Sequence, residues 1–325
     1  MIAMNEHPAS KGNSGSPVFQ KALKEGAIDS IRRTNKTDFH NHSVFGTRMS
    51  NIQKWVGHHI VRPPLQMQSL EDLHRYSREY LHPHIFNRQG FEFTTESSIA
   101  DAIWDGVIIL EMSVDVGWIL AYDEREQFFE YVLRLINKHK NQLDFRPEIG
   151  IMRNGDPTVQ IPLAEEFARS GLFRSIDLYG TEDAQAPEIY QDLYNHVKKQ
   201  NIKLKAHVGE FGDAKDVATT IDILQLDEIQ HGISAATSTE LMRRIRDRNI
   251  RLNICPTSNV VLGRVAQLAH HPIRKLFDNG VRVSINSDDL AIFDQSVSEE
   301  FLNLYKSGVL TASELDSIRI DALNS

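Results

Sequence analysis

Two histidines stand two residues apart in the run Lys36-Thr-Asp-Phe-His40-Asn-His42. In an extended chain residues i and i+2 face the same way, so both imidazoles can meet one ion while Asn41 points elsewhere. A third imidazole from His207 and a carboxylate from Asp288 complete a nitrogen-rich, partly anionic ligand set suited to zinc, one ion per chain, with a position left for water. An open site of that kind is catalytic rather than structural, because the ion lowers the pKa of its water toward ~7 and makes a nucleophile at neutral pH. A lone His-x-His is more often an ordinary pair of strand residues. What gives it weight is convergence with His207-Val-Gly-Glu210, His231-Gly232, Cys255-Pro-Thr-Ser-Asn259, Ser287-Asp288-Asp289 and Asp177-Leu-Tyr-Gly180. His74, His82, His84, His139 and His196 are read as surface or core residues.

Something must bring these runs together, and the apolar pattern says what. Short stretches rich in Val, Ile and Phe recur at about 36–44, 106–114, 145–152, 173–180, 202–208, 228–233, 250–255 and 281–287. Amphipathic helical patterns lie between most of them, as at Glu124 to Lys138, Pro187 to Lys199 and Ser238 to Asp247, the last opening like a capping box at Thr237-Ser-Thr-Glu240. Eight short, largely apolar strands alternating with helices predict an α/β fold, a closed parallel (β/α)8 TIM barrel rather than an open doubly wound sheet. In such a barrel chemistry gathers where strands end, and each polar run above ends a predicted strand. The stretch from Gly46 to Gly106 is too long for one barrel helix and predicts extra helices after strand one, including Ser69 to Tyr80, forming a lid over one mouth.

Composition excludes other classes of function. The 325 residues carry 36 basic and 44 acidic side chains, a net charge of −8, which offers no field for a nucleic acid or an anionic membrane surface. Residues 1–18 hold neither a signal pattern nor a spanning stretch and read as a flexible lead-in to a single hydrolase domain over 19–325. Cys255 is the one cysteine, so no disulfide forms within the chain, and the cytoplasm is the expected compartment.

In this order, KTDFHNH, DLYG, AHVGE, IQHG, CPTSN and SINSDD resemble the adenosine deaminase family of metal-dependent amidohydrolases, and the closing LTASELDSIRIDALNS resembles that family's C-terminal helices. The resemblance implies that His40, His42, His207 and Asp288 hold zinc. It implies that Glu210 protonates the purine ring nitrogen beside the reacting carbon and that His231 orients and helps deprotonate the attacking water. Asp289 and the backbone N–H of Gly180 are implied to meet the purine ring. The chemistry is coherent, since an aromatic C–NH2 carbon resists attack until its ring is protonated by an acid of raised pKa. The other zinc deaminase design, with His-x-Glu and Pro-Cys-x-x-Cys, is excluded by a single cysteine.

The resemblance breaks at two places. The family's second histidine is commonly followed by Leu-Asp-Gly, whose aspartate reaches the sugar's 5′-hydroxyl, whereas here Ser43-Val44-Phe45-Gly46 follows. The family's Asp-Asp-Pro is Asp288-Asp289-Leu290. The expected reaction is hydrolysis of a cyclic-amidine C–N bond, converting adenosine or 2′-deoxyadenosine to the inosine product and ammonia. The alternatives are adenine, an adenine nucleotide or another modified purine as substrate, or a barrel that binds without turnover. Arg48 is read as either a contact for an anionic 5′ substituent or a solvated loop residue, and Arg153 as a support for a ligand or a plain salt-bridge residue. The apolar residues between Trp55 and Met67 either cover a purine face or pack a lid helix. Cys255-Pro-Thr-Ser-Asn259 is read as a turn whose Ser and Asn bond local backbone, and Cys255 as no nucleophile.

Overall fold

The computed structural model describes residues 15–325. Its eight strands are β1 (Lys36–Asp38), β2 (Val107–Asp115), β3 (Asp144–Met152), β4 (Ser175–Tyr179), β5 (Lys203–Val208), β6 (Glu228–His231), β7 (Arg251–Ile254) and β8 (Arg282–Ile285). They pair in parallel in sequence order, with helices between them, as the alternation predicts for a (β/α)8 barrel. The seam between β8 and β1 is drawn together just past the strands, where Asp288 N donates to His40 O at 3.0 Å and Phe39 N to Asn286 Oδ1 at 2.8 Å. Barrel closure therefore sets the distance between two of the candidate metal ligands.

The expected lead-in over 1–18 lies outside the described residues as far as 14, and Ser16–Val18 already belong to the helix Ser16–Glu25, with Pro17 in its first turn. The helix Arg125–His139 falls where the apolar spacing put it. In the segment predicted at Pro187 to Lys199, a 3-10 turn (Pro187–Tyr190) precedes the helix Gln191–Lys198. The cap of the helix Thr239–Asp247 is Ser238, whose side chain accepts from Leu241 N, one residue later than the Thr237 capping box.

After β1 come the helices Met49–Val56, Leu70–Tyr76, His82–Ile85 and Arg88–Trp104, with a π-helical turn over Ser77–Leu81. Several residues of this insertion, including Leu73, Ser77 and Phe86, line the cavity at the C-terminal mouth, as a covering element must.

The barrel interior departs from the apolar reading of its strands. Residues i and i+2 share a face, so Lys205 points inward one layer below His207. Lys205 Nζ lies 2.5 Å from Glu148 Oε1 and 3.5 Å from Glu228 Oε2, and it also pairs with Glu111. Arg251 reaches Glu228 Oε1 at 2.7 Å. A buried ionic layer, not an aliphatic one, is the floor beneath the candidate site. Among the described residues no helix is long and apolar enough to cross a membrane.

Candidate active site

The polar strand ends converge. One ring nitrogen each from His40, His42 and His207 lies within 4.8 Å of the others, and His42, Asp288 and Asp289 meet the same limit. His40 Nε2 and His42 Nε2 each stand 3.7 Å from Asp288 Oδ1, too far for a good hydrogen bond yet suited to ligands about 2 Å from one shared ion. His40 Nε2 is buried without a hydrogen-bond partner, a costly state for a polar atom unless something binds it. These residues fit a divalent metal.

Two contacts aim the rings. His207 Nδ1 lies 3.1 Å from Asp177 Oδ1, and His40 Nδ1 lies 3.4 Å from the Asn253 carbonyl, so both Nε2 atoms are free to ligate. Burial alone would raise the Asp177 carboxyl, but the His207, His42 and His40 rings outweigh it and hold Asp177 below the usual carboxylate range. Arg153, buried, donates to Glu182 O at 2.6 Å and to His207 O at 3.3 Å. It supports the strand end that carries a candidate ligand.

Backbone strain marks the same places. His231 and Asp288 adopt φ of 61° and 59°, a left-handed conformation that costs non-glycine residues ~1–3 kcal/mol and persists only where the surroundings impose it. Gly180 has φ 95°, and a Cβ there would come 2.7 Å from Asn154 Oδ1, so the position excludes side chains on both counts.

Glu210 faces His231 with Oε2 3.5 Å from Nε2. Burial, reinforced by the charges of Asp288 and Glu182, pushes the Glu210 carboxyl well above its usual range, toward the protonated form. Burial and the neighbouring imidazoles of His40, His207 and His42 push His231 well below its usual value, toward the neutral form. Asp289 is buried with Oδ1 unpartnered, and burial followed by the Asp288 charge raises its carboxyl as well.

One residue of this constellation, Asn259, was read in the sequence as a turn residue bonding local backbone, and another, Glu182, was not singled out. Cys255 does not open a turn but precedes a short helix, Pro256–Val261, which points Asn259 into the site. Asn259 Nδ2 lies 2.9 Å from Glu210 Oε1 and 3.3 Å from His231 Nδ1, while its Oδ1 meets His271 Nε2 at 3.2 Å. Glu182 accepts from the backbone N–H groups of Gly209, Glu210, Phe211 and Gly212 at 2.7 to 3.2 Å, holding the loop that carries Glu210. Glu182 follows the DLYG run by two residues, and that proximity was the available signal.

Other candidates fall elsewhere. Arg48 pairs with Glu299 at 2.8 Å and Asp294 at 3.1 Å and does not line the cavity. Trp55 stacks on Phe93, and no residue from Trp55 to Met67 lines the cavity; Ile60 and Met67 are buried in the cover, while Val61 and Leu65 are exposed. His74 and His82, read as surface or core, do line it. Burial pushes the Cys255 thiol well above its usual value and leaves it unreactive. The cavity itself holds about 560 Å3.

Comparison with known proteins points to one family. The sequence model of the family described as "Adenosine deaminase" matches residues 63–325. A Treponema pallidum protein named "Putative adenosine/adenine deaminase" is 35% identical over 293 residues, covering 90% of this chain and 98% of its own. The crystal structure of an adenine deaminase from Arthrobacter aurescens superposes with a TM-score of 0.76 at 21% identity, covering 88% of this chain and 93% of that one. A second, an Arabidopsis protein complexed with IMP, gives a TM-score of 0.72 at 17% identity over 91% of this chain and 92% of its own.

Proposed function

This chain belongs to the adenosine deaminase family of hydrolases acting on C–N bonds, and we propose that it replaces the exocyclic amino group of adenosine or 2′-deoxyadenosine by oxygen from water, releasing ammonia. The observation that carries the proposal is the meeting of the His40, His42 and His207 ring nitrogens beside Asp288, with His40 Nε2 buried and unpartnered.

His40, His42, His207 and Asp288 are the residues that would hold the metal, with zinc the expected ion from their ligand types. When bound, the ion supplies Lewis acidity that makes water nucleophilic at neutral pH. Glu210, protonated because it is buried beside like charges, gives its proton to the ring nitrogen next to the reacting carbon, and the carbon becomes electrophilic. His231, neutral, accepts a hydrogen bond or proton from the attacking water. The unpartnered Asp289 Oδ1 and the Gly180 backbone fix the purine plane.

A cavity of about 560 Å3 suits a nucleoside and its sugar. Adenine itself is the second reading, favoured by the adenine deaminases among the relatives and structural neighbours. The test is ammonia release from adenosine, 2′-deoxyadenosine, adenine and AMP by zinc-loaded protein. Glu210→Gln should keep its zinc and lose nearly all turnover, and full activity in that variant would remove the assigned acid.

A further inference from the structure

One carboxylate of the cavity is used neither by the candidate metal ligands nor by the proposed proton transfers. Asp115 ends β2 and lines the cavity, half-buried. Its height in the barrel follows from register. Ser113 pairs with His42, and residues i and i+2 of a strand share a face, so Asp115 stands about 7 Å beyond the level of His42, toward the mouth. Two donors orient it: Tyr179 Oη donates to Oδ2, and Gly117 N to Oδ1 at 2.7 Å. Tyr179 is the chain neighbour of Gly180, whose N–H is proposed to meet the purine ring. Asp115 is therefore beside the proposed purine and outward of the metal ligands, the direction taken by whatever the ring carries away from its amino-bearing carbon.

The other carboxyl groups of the lining are engaged. Asp288, Asp289 and Glu210 belong to the reacting end, Glu182 accepts four backbone N–H groups, and Glu71 pairs with Arg78. Asp115 keeps a lone pair on each oxygen for a further donor. Burial raises its carboxyl despite Tyr179 and Gly117, so those two donors do not fully compensate its charge. The cover adds Ser77, which begins the π-helical turn Ser77–Leu81, a local widening frequent at functional sites. Thr94 and Ser98 of the same insertion donate back to the carbonyls of Gly90 and Thr94 at 2.9 and 2.8 Å, as helical hydroxyls do. Ser77 lines the cavity, and its Oγ is buried with no partner.

Resting on the deaminase reading above, we infer that Asp115, with Ser77 on the cover, forms a subsite for the sugar hydroxyls of a purine nucleoside and selects nucleosides over free adenine. A pentose brings hydroxyl donors to the outer part of the cavity. Adenine brings no hydroxyl, and it leaves both residues to water.

The test measures kcat/KM of the zinc-loaded full chain for adenosine, adenine and 2′-, 3′- and 5′-deoxyadenosine, with calorimetric affinities for inosine and hypoxanthine. In wild type, adenosine should exceed adenine, and at least one monodeoxy substrate should fall about 10- to 100-fold below adenosine, the worth of a hydrogen bond to a charged group. Inosine should bind more tightly than hypoxanthine. These wild-type comparisons need no variant to fold. Asp115→Ala should lower the adenosine-to-adenine ratio by about 10- to 100-fold and erase the monodeoxy penalty, a coupling that a merely structural role does not produce. Ser77→Ala should lower the same ratio about three- to tenfold. Wild type that turns over all three monodeoxy substrates like adenosine, or adenine as well as adenosine, overturns the inference and leaves the deaminase reading standing. So does Asp115→Ala protein that loses adenosine and adenine turnover alike, or inosine bound no more tightly than hypoxanthine. Ammonia from none of the five substrates overturns both.

Discussion

Asn259 Nδ2 lies 2.9 Å from Glu210 Oε1, joining the helix after β7 to the loop after β5 directly beside the candidate metal ligands. The same amide touches His231 and, through its oxygen, His271. One side chain thus touches both Glu210, the proposed proton donor, and His231, the proposed proton acceptor. Asn259→Ala should lower kcat/KM about 10- to 100-fold, the worth of a buried hydrogen bond to a group that becomes charged, with zinc content unchanged. Asn259→Asp should be worse, because it sets another carboxyl beside Glu210. Steady-state kinetics with metal analysis decide it, and wild-type kinetics in Asn259→Ala would show that Glu210 is positioned by other contacts.

Glu182 collects four backbone N–H groups from Gly209 to Gly212. Glu182→Ala leaves those donors unpartnered in a partly buried loop, and the loop that carries Glu210 should loosen. The expected result is a fall in kcat of about tenfold or more, since misplacing a catalytic group by about 1 Å is costly. Hydrogen exchange should rise at residues 209–212 and not across the barrel, and unchanged exchange there would contradict the clamp.

Lys205 is fully buried among Glu111, Glu148 and Glu228. Lys205→Met keeps the length and removes the charge, leaving Glu148 without a cation and Glu111 and Glu228 with one fewer. A loss of about 3–5 kcal/mol in unfolding free energy is expected by denaturant titration. A loss under about 1 kcal/mol would mean that protonation or water compensates the layer.

Much of this was legible in the sequence, and the parts that were not share a cause. Seven of the eight apolar runs located their strands to within two residues at each end, because short buried strands are rich in β-branched residues and bounded by turns, whereas the run at 36–44 overshoots β1, which ends at Asp38 before His40 and His42. His40, His42, His207, Glu210, His231, Asp288 and Asp289 stood out because each is polar at the end of an apolar run. Glu182 holds the 209–212 loop and Asn259 holds Glu210 and His231 from 27 to 49 positions away, across strand ends that only barrel closure brings together. Lys205, Glu228 and Arg251 were hidden for the same reason, since each is satisfied by charges on other strands. Arg48 looked available in the sequence because Asp294 and Glu299 lie some 250 residues away.

Glu300 is buried against Thr257 N, and burial is the main cause that raises its carboxyl from 4.5 to about 8. The folded state then binds a proton that the unfolded state has released between those values, so this group's contribution to stability falls as pH rises from about 4.5 to about 8. Glu300→Gln removes the titration. Its melting temperature relative to wild type should climb between pH 5 and pH 8 and level off above. A difference that stays flat from pH 5 to pH 9 would show that Glu300 titrates normally.

Metal-dependent release of ammonia from a 6-aminopurine nucleoside is read out by titrating chelator-stripped protein with zinc and following ammonia and bound metal together. Turnover should be absent without metal and rise to a plateau at one zinc per chain, and His40→Ala protein should neither hold the ion nor turn over substrate. Full activity in metal-free protein, or a full zinc complement with no ammonia from any nucleoside carrying a 6-amino group, would contradict it.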